Sequence, residues 1–253
     1  MLYIEGAAGI SGDMTVGALL SLGSSQERLK AVLDSLKLGD EFSYVISEKA
    51  SYGIAGTDFD VILPHRHHHH EHAHHHHHHH EHRNLADVEA VIDRGEMSDR
   101  ARALAKKAFR FVAEAEAKAH GKPLDEVHFH EVGAIDSIVD IVSAAVLFDD
   151  LGETECVVTG LTEGSGTVMC AHGELPVPVP AVLNIAAATG VPFRVSDVKG
   201  ECVTPTGIAL AAAFRTLEAL PAAYRVKGVG IGLGKRDYGR PAILRIMKIE
   251  AAE

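Results

Sequence analysis

Apolar and polar positions change period several times along the chain, and each change marks an element. Leu2 to Glu5 is a short apolar run of the kind that forms a buried strand. The stretch "GAAGISGDM" then turns into helical spacing over about Asp13 to Leu22, with Ser11 placed as the cap. A second helix is expected over about Gln26 to Leu36. Phe42 to Glu48 and Phe59 to Leu63 have strand character, the latter alternating at Phe59, Val61 and Leu63 until Pro64 ends it. Asn84 caps a helix written "LADVEAVIDR". Ser98 caps a longer one to about Ala119, with Leu104, Ala108, Phe111, Val112 and Ala115 at helical spacing. "HFHEVGAIDSIVDIVSAAVLF" ends in a strongly apolar helix. "ECVVTG" is a strand, "EGSGTV" a glycine loop, and "LPVPVPAVLNIAAATG" an extended proline-bearing arm leading into a helix. "TPTGIALAAAFRTL" is another helix, and "RVKGVGIGLG" and "ILRIMKIE" make a closing pair of strands.

Helices and strands mix without strict alternation, and no segment repeats. The expected fold is therefore α+β, a mixed sheet covered by helices. A histidine-rich tract interrupts it and is expected to be disordered. It divides an N-terminal α/β lobe (1–64) from a main α/β lobe (84–253), which can also form one continuous domain with the first, and residues 65–83 are the insertion.

Composition narrows the function. Hydrophobic residues make up 46% of the 253, enough for a full core, but aromatics are 5% with no Trp, so the core must be aliphatic. A net charge of -11 argues against nucleic acid or an anionic membrane as partner and suits cations. The start carries no basic region before its apolar residues, and no apolar run reaches the length of a membrane span. Cys156, Cys170 and Cys202 show no CxxC spacing, which fits reduced thiols in the cytoplasm.

The tract "HRHHHHEHAHHHHHHHEHR" runs from His65 to Arg83 and holds fourteen of the eighteen histidines. Neutral imidazole is a ligand for nickel, zinc and copper ions. A run of adjacent histidines offers many overlapping weak sites and no single geometry, so it suits gathering, storing or handing over metal. Candidate ligands are His67, His68, His69, His70, His72, His74, His75, His76, His77, His78, His79, His80 and His82. The alternative is a polar low-complexity linker.

A more compact constellation lies in "HFHEVGAIDSIVDIV". In an extended segment His128 and His130 point the same way. On a helix starting near Ala134, Asp136 and Asp140 share one face, about 6 Å apart along the axis. These four are a candidate metal set, and Glu131 is a further ligand or a base. The alternative is that Asp136 stabilises the helix start while the histidines fill ordinary polar positions. Cys170 and His172 in "CAHG" form a softer possible ligand pair, as does Cys202 beside "TPTG". "GAAGISGD", "EGSGT" and "TPTG" could each hold an anion at a helix start or turn. None is a P-loop, and tight turns and helix caps are the ordinary reading. "GVGIGLGKRD" is only a weak dinucleotide fingerprint.

"GISGDM", an internal histidine tract, "HFHEVGAIDSIVDIV", "GSGTVMCAHGELPVPVPA" and "ECVTPTG" occur in that order. Over almost its whole length the chain resembles the nickel-insertion proteins of the lactate racemase cofactor pathway. The resemblance implies insertion of Ni(II) into pyridinium-3,5-bisthiocarboxylic acid mononucleotide, giving a pincer complex bound through two sulfurs and a ring carbon. Forming the nickel–carbon bond removes a ring proton, so His130, Glu131 or Asp136 would be the base. The substrate phosphate would sit on a helix-start loop, Gly9, Ser11, Gly12 and Asp13 or Thr204, Thr206 and Gly207. Such proteins are usually longer and bind nucleotide in a C-terminal domain. CTP with a divalent metal is therefore expected only through a domain outside this chain, with a separate C-terminal chain as a possible partner. No CTP-binding residue carries over. A cytoplasmic homo-oligomer is expected, with no nucleic-acid or membrane partner. Two other readings stay open: a non-catalytic nickel chaperone or store, and a metal-dependent hydrolase of phosphate-containing small molecules using His128, His130, Asp136 and Asp140.

Overall fold

A computed structural model describes residues 1–64, 83–126, 135–170 and 172–252. The expectations for the histidine tract, and for His128, His130 and Glu131, fall outside the described residues. The described chain is α+β. Its elements are β1 (Leu2–Glu5), α1 (Gly12–Ser21), α2 (Gln26–Ser35), β2 (Ser43–Ser51), β3 (Ile54–Ile62), α3 (Leu85–Arg94), α4 (Asp99–His120), α5 (Ile135–Asp150), β4 (Cys156–Thr159), β5 (Leu161–Cys170), β6 (Gly173–Val177), α6 (Pro180–Thr189), β7 (Phe193–Lys199), α7 (Pro205–Phe214), β8 (Tyr224–Leu233) and β9 (Ile243–Ala251).

Six strands form a mixed sheet in the order β2-β3-β8-β9-β1-β4, and three more form a small sheet in the order β6-β5-β7. The strands of 1–64 and 84–253 interleave in the larger sheet: β2 and β3, then β8 and β9, then β1, then β4. β3 runs parallel to β8, and β1 lies between β9 and β4. Helix α1 lies on this sheet over β3 and β8, and α5 packs behind it against α1, α2 and α4. Eleven of the sixteen residues of α5 are buried, from Ile135 to Phe148, so it is apolar nearly all round and forms the centre of the helical layer. Each fully buried Val, Leu, Ile or Phe there contributes about 1.5–3 kcal/mol.

The approach of α1 to the sheet explains the glycines of "GVGIGLG". Gly228, Gly230 and Gly232 alternate on the helix-facing side of β8. A Cβ at Gly230 would run into the Ala18 carbonyl oxygen, and one at Gly232 into that of Met14. The repeat is a strand surface stripped of side chains so that a helix can lie on its backbone.

Several local expectations change. Ser11 occupies the cap position of α1, but its hydroxyl makes no cap bond to the helix and donates to Asp13 Oδ1 instead. β3 begins at Ile54, earlier than its alternation suggests, because Tyr52 and Gly53 both have positive φ and close a two-residue hairpin onto β2. "EGSGTV" is not a loop but part of β5. It carries a register shift between Glu163 and Ser165 where β5 meets β7, and Gly164 passes against the Gly200 carbonyl. β7 had no clear strand signal. On α4 the buried stripe centres on Ala105, Ala108, Phe109 and Val112, with Leu104 and Phe111 at its margin. Asn84, Ser98 and Thr204 cap α3, α4 and α7 through their side chains, accepting from Asp87, Ala101 and Gly207 N–H.

Candidate functional site

Two of the turns marked for anion binding are one interlocked structure. Ile10 N donates to Cys202 O at 2.9 Å, and Thr204 N donates to Ile10 O at 3.0 Å. Gly9 adopts φ +100, and a side chain there would strike the Cys202 carbonyl. A Cβ at Gly207 would strike the Ile10 carbonyl. The glycines are thus explained by two backbones crossing at the starts of α1 and α7.

Glu163 fastens this crossing. It is fully buried, and its Oε1 accepts from the backbone N–H of Gly164 (2.7 Å), Cys202 (2.5 Å) and Val203 (2.9 Å). Its Oε2 makes no hydrogen bond with the described residues. Burial lifts the carboxyl above its ordinary range against the pull of those amides and of Arg236. Cys202 is buried beside it. Burial, then the Glu163 charge, raises that thiol.

The start of α5 joins the same region. Asp140 packs against Gly12, where a Cβ would come 2.5 Å from its Oδ2. Removal from water, then the charges of Asp13 and Asp136, hold the Asp140 carboxyl well above its usual range, while Lys235 and the Asp13 amide pull the other way. Lys235 pairs with Asp60 at 2.6 Å and with Asp13 at 3.5 Å. Burial works against its ammonium, but Asp60, Asp13 and Asp140 together raise it above its ordinary value.

Asp136 is exposed at the first turn of α5 and opens onto a cavity of about 600 Å³. The end of α4 supplies Glu116 and His120. The β5–β6 hairpin supplies Val168, Met169, Cys170, His172 and Leu175. Val179 to Ala181 open α6 along one wall, and Glu201, Pro205 and Arg236 close the other. Arg236 is 53% exposed and pairs through Nη1 with Glu201 at 3.1 Å. His120 Nε2 lies 3.3 Å from Glu116 Oε2, and the rings of His120 and His172 stand 4.9 Å apart between centres. Apolar walls with a few convergent polar groups are the usual make-up of a small-molecule site.

Of the expected site residues, Asp136 and the softer pair Cys170 and His172 line this cavity. Asp140, Gly12 and Asp13 form the neighbouring carboxylate cluster with Lys235. Ser11 bonds Asp13, and Thr204 spends its hydroxyl on the α7 cap. Thr206 and Gly207 are buried, so α7 reaches the cavity only through Pro205. Among the described residues no three His, Cys, Asp or Glu side chains meet as a ready metal site. The sequence reading missed Glu116, His120, Glu201, Arg236 and the Glu163 clamp. His120 had a signal, since it is one of only four histidines outside the tract. The others are ordinary charged residues in the sequence, brought together only by tertiary packing.

Fold and cavity define an α+β protein with a ligand-sized cavity bearing imidazole, thiol, carboxylate and guanidinium groups. The family model described as "Nickel insertion protein" matches residues 2–253. A protein of Alkaliphilus metalliredigens named pyridinium-3,5-bisthiocarboxylic acid mononucleotide nickel insertion protein is 51% identical over 254 residues, 98% of this chain and 60% of that one. Proteins of the same name from Acetivibrio thermocellus and Clostridium kluyveri are 42% and 40% identical, over 100% and 97% of this chain and 61% of each of theirs. The chain belongs to the nickel insertion protein family. It spans about 60% of the length of these curated relatives. No solved structure is a significant match. Among the described residues no helix is long and apolar enough to cross a membrane.

Proposed function

We propose that this chain holds the pyridinium mononucleotide and the nickel during nickel insertion, building the nickel-pincer cofactor of lactate racemase. The observation that carries the reading is the cavity, which places imidazole and thiol donors, an exposed carboxylate and a half-exposed guanidinium around one apolar-walled space. Arg236 has donors to spare beyond its pair with Glu201 and is suited to the substrate phosphate or a thiocarboxylate. Val168, Met169, Leu175 and Val179 offer a surface for the pyridinium ring. Asp136 at the cavity edge is the described candidate for taking the ring proton as the nickel–carbon bond forms, and His130 and Glu131 remain the other candidates. The fourteen-histidine tract gathers nickel for this space. CTP and its divalent metal act through a C-terminal domain outside residues 1–253, as part of the whole enzyme.

The test is mass spectrometry of the pyridinium mononucleotide after incubation with the chain and Ni(II), with and without CTP and a supplied C-terminal domain. Nickel incorporation that needs this chain supports the reading. Nickel held by the protein without any incorporation in the complete mixture would leave a nickel store.

A further inference from the structure

We propose that His120 and His172 form a two-imidazole docking point for Ni(II) on the cavity wall, oriented by Glu116, from which the metal passes to the substrate sulfurs. This rests on the proposed nickel-insertion reading and adds the site where nickel waits.

The geometry has three parts. First, the two rings come from separate elements, the last residue of α4 and the turn of the β5–β6 hairpin, and both line the cavity. Second, their separation suits a shared metal. With imidazole–metal bonds of about 2.0–2.1 Å, each ring centre stands roughly 3.2 Å from the ion. Centres 4.9 Å apart then subtend an angle of roughly 100° at the metal, within the range of neighbouring ligands in tetrahedral or octahedral geometry. The rings are tilted by 46° rather than stacked face to face. Third, His120 has the outer partner that metal-binding histidines have. Glu116, one helical turn earlier, faces its Nε2 at 3.3 Å. A carboxylate this close to Nε2 favours the tautomer protonated there, which leaves Nδ1 as the metal-binding nitrogen.

Among the described residues these two imidazoles make an incomplete ligand set, which suits cargo. Four protein ligands hold a metal as a resident; two leave open positions that the incoming sulfurs can occupy. The hand-over is ligand exchange: two sulfur–nickel bonds form, two imidazole–nickel bonds break, and nickel stays divalent with no electron transferred. The two imidazoles can then take the next ion.

The test uses the 253-residue chain with its fourteen tract histidines replaced by asparagine, so that they do not mask a single site. Nickel sulfate is titrated by calorimetry, with thermal melts confirming that each variant folds. One Ni(II) site is expected, weakened at least about tenfold by His120→Asn or His172→Asn. Glu116→Gln, which keeps shape and removes only charge, should weaken it by about 10- to 100-fold, as loss of an orienting carboxylate does. Unchanged affinity in both histidine variants overturns the proposal, and loss of the site in His128→Asn and His130→Asn alone moves nickel to the other constellation. Nickel insertion is then assayed separately with scarce metal. Slowed insertion in the His120→Asn, His172→Asn pair supports the docking role; wild-type insertion in it overturns that role and leaves the nickel-insertion reading standing. Unaltered binding results with no insertion by any chain would sink that reading instead.

Discussion

Glu163 shows how one buried side chain can hold a site it does not enter. Three backbone donors depend on its Oε1, and two of them, at Cys202 and Val203, set where the α7 turn crosses Ile10. Each buried donor left without a partner costs about 1–3 kcal/mol. Glu163→Ala should therefore destabilise the protein much more than Glu163→Gln, whose amide oxygen can still accept. The pH dependence has a definite sign. Because the folded carboxyl titrates above 4.5, the folded state holds one more proton than the unfolded state between 4.5 and the raised value. The carboxyl's contribution is present in full at low pH and is lost as pH rises through that window. Urea midpoints against pH should show the advantage of wild type over Glu163→Gln shrinking across it and levelling above. A gap that widens with pH would show that the carboxylate form is the favoured one. At this scale the sequence was legible only where chemistry is rare. The histidine tract, His128, His130 and the Cys170–His172 pair stood out, whereas Glu163, Arg236 and Glu116 gain their meaning from burial or from neighbours in the fold.

At the scale of elements, α1 lies directly on the backbone of β8. Gly230→Ala places a methyl against the Ala18 carbonyl, and backbone cannot rotate away as a side chain can. Overpacking of this kind costs about 1–3 kcal/mol. The midpoint of denaturant unfolding should fall accordingly, and an unchanged midpoint would show that α1 has room to lift. Helices were the legible part of the fold. The caps at Asn84, Ser98 and Thr204 are local chemistry, and the apolar run of α5 announces a buried helix. What failed was the reading of "EGSGTV" as a loop, whereas "GVGIGLG" was read correctly as strand without the reason for its glycines. Gly164 and the glycines of "GVGIGLG" serve close backbone approach inside strands, a reason that exists only once the opposing element is in place. β7 was missed because most of its residues are polar or exposed, leaving little alternation to read.

For the whole molecule, the proposed function implies a division of labour between the tract and the cavity. On the proposed reading the many adjacent histidines supply capacity, while a preorganised wall loses less ordering entropy when it engages metal and substrate. Deleting His67 to His82 should lower the nickel bound per chain, leave insertion intact at saturating nickel, and impair it only when nickel is scarce. Circular dichroism of that variant should be unchanged, since joining the flanks by a shorter link alters closure cost slowly with length. Loss of insertion at every nickel concentration would place the tract in the chemistry itself.

The central claim is that the cavity seats the pyridinium mononucleotide, and its most direct test is binding of that molecule without nickel. Arg236→Gln removes the half-exposed cation. Met169→Trp places bulk in the cavity at a side chain that is 74% exposed, so the core is spared. Calorimetric titration should show each variant binding at least about tenfold more weakly than wild type, as expected for loss of one charge-assisted contact or for a filled site. Equal affinity in wild type and both variants would put the substrate elsewhere on the protein.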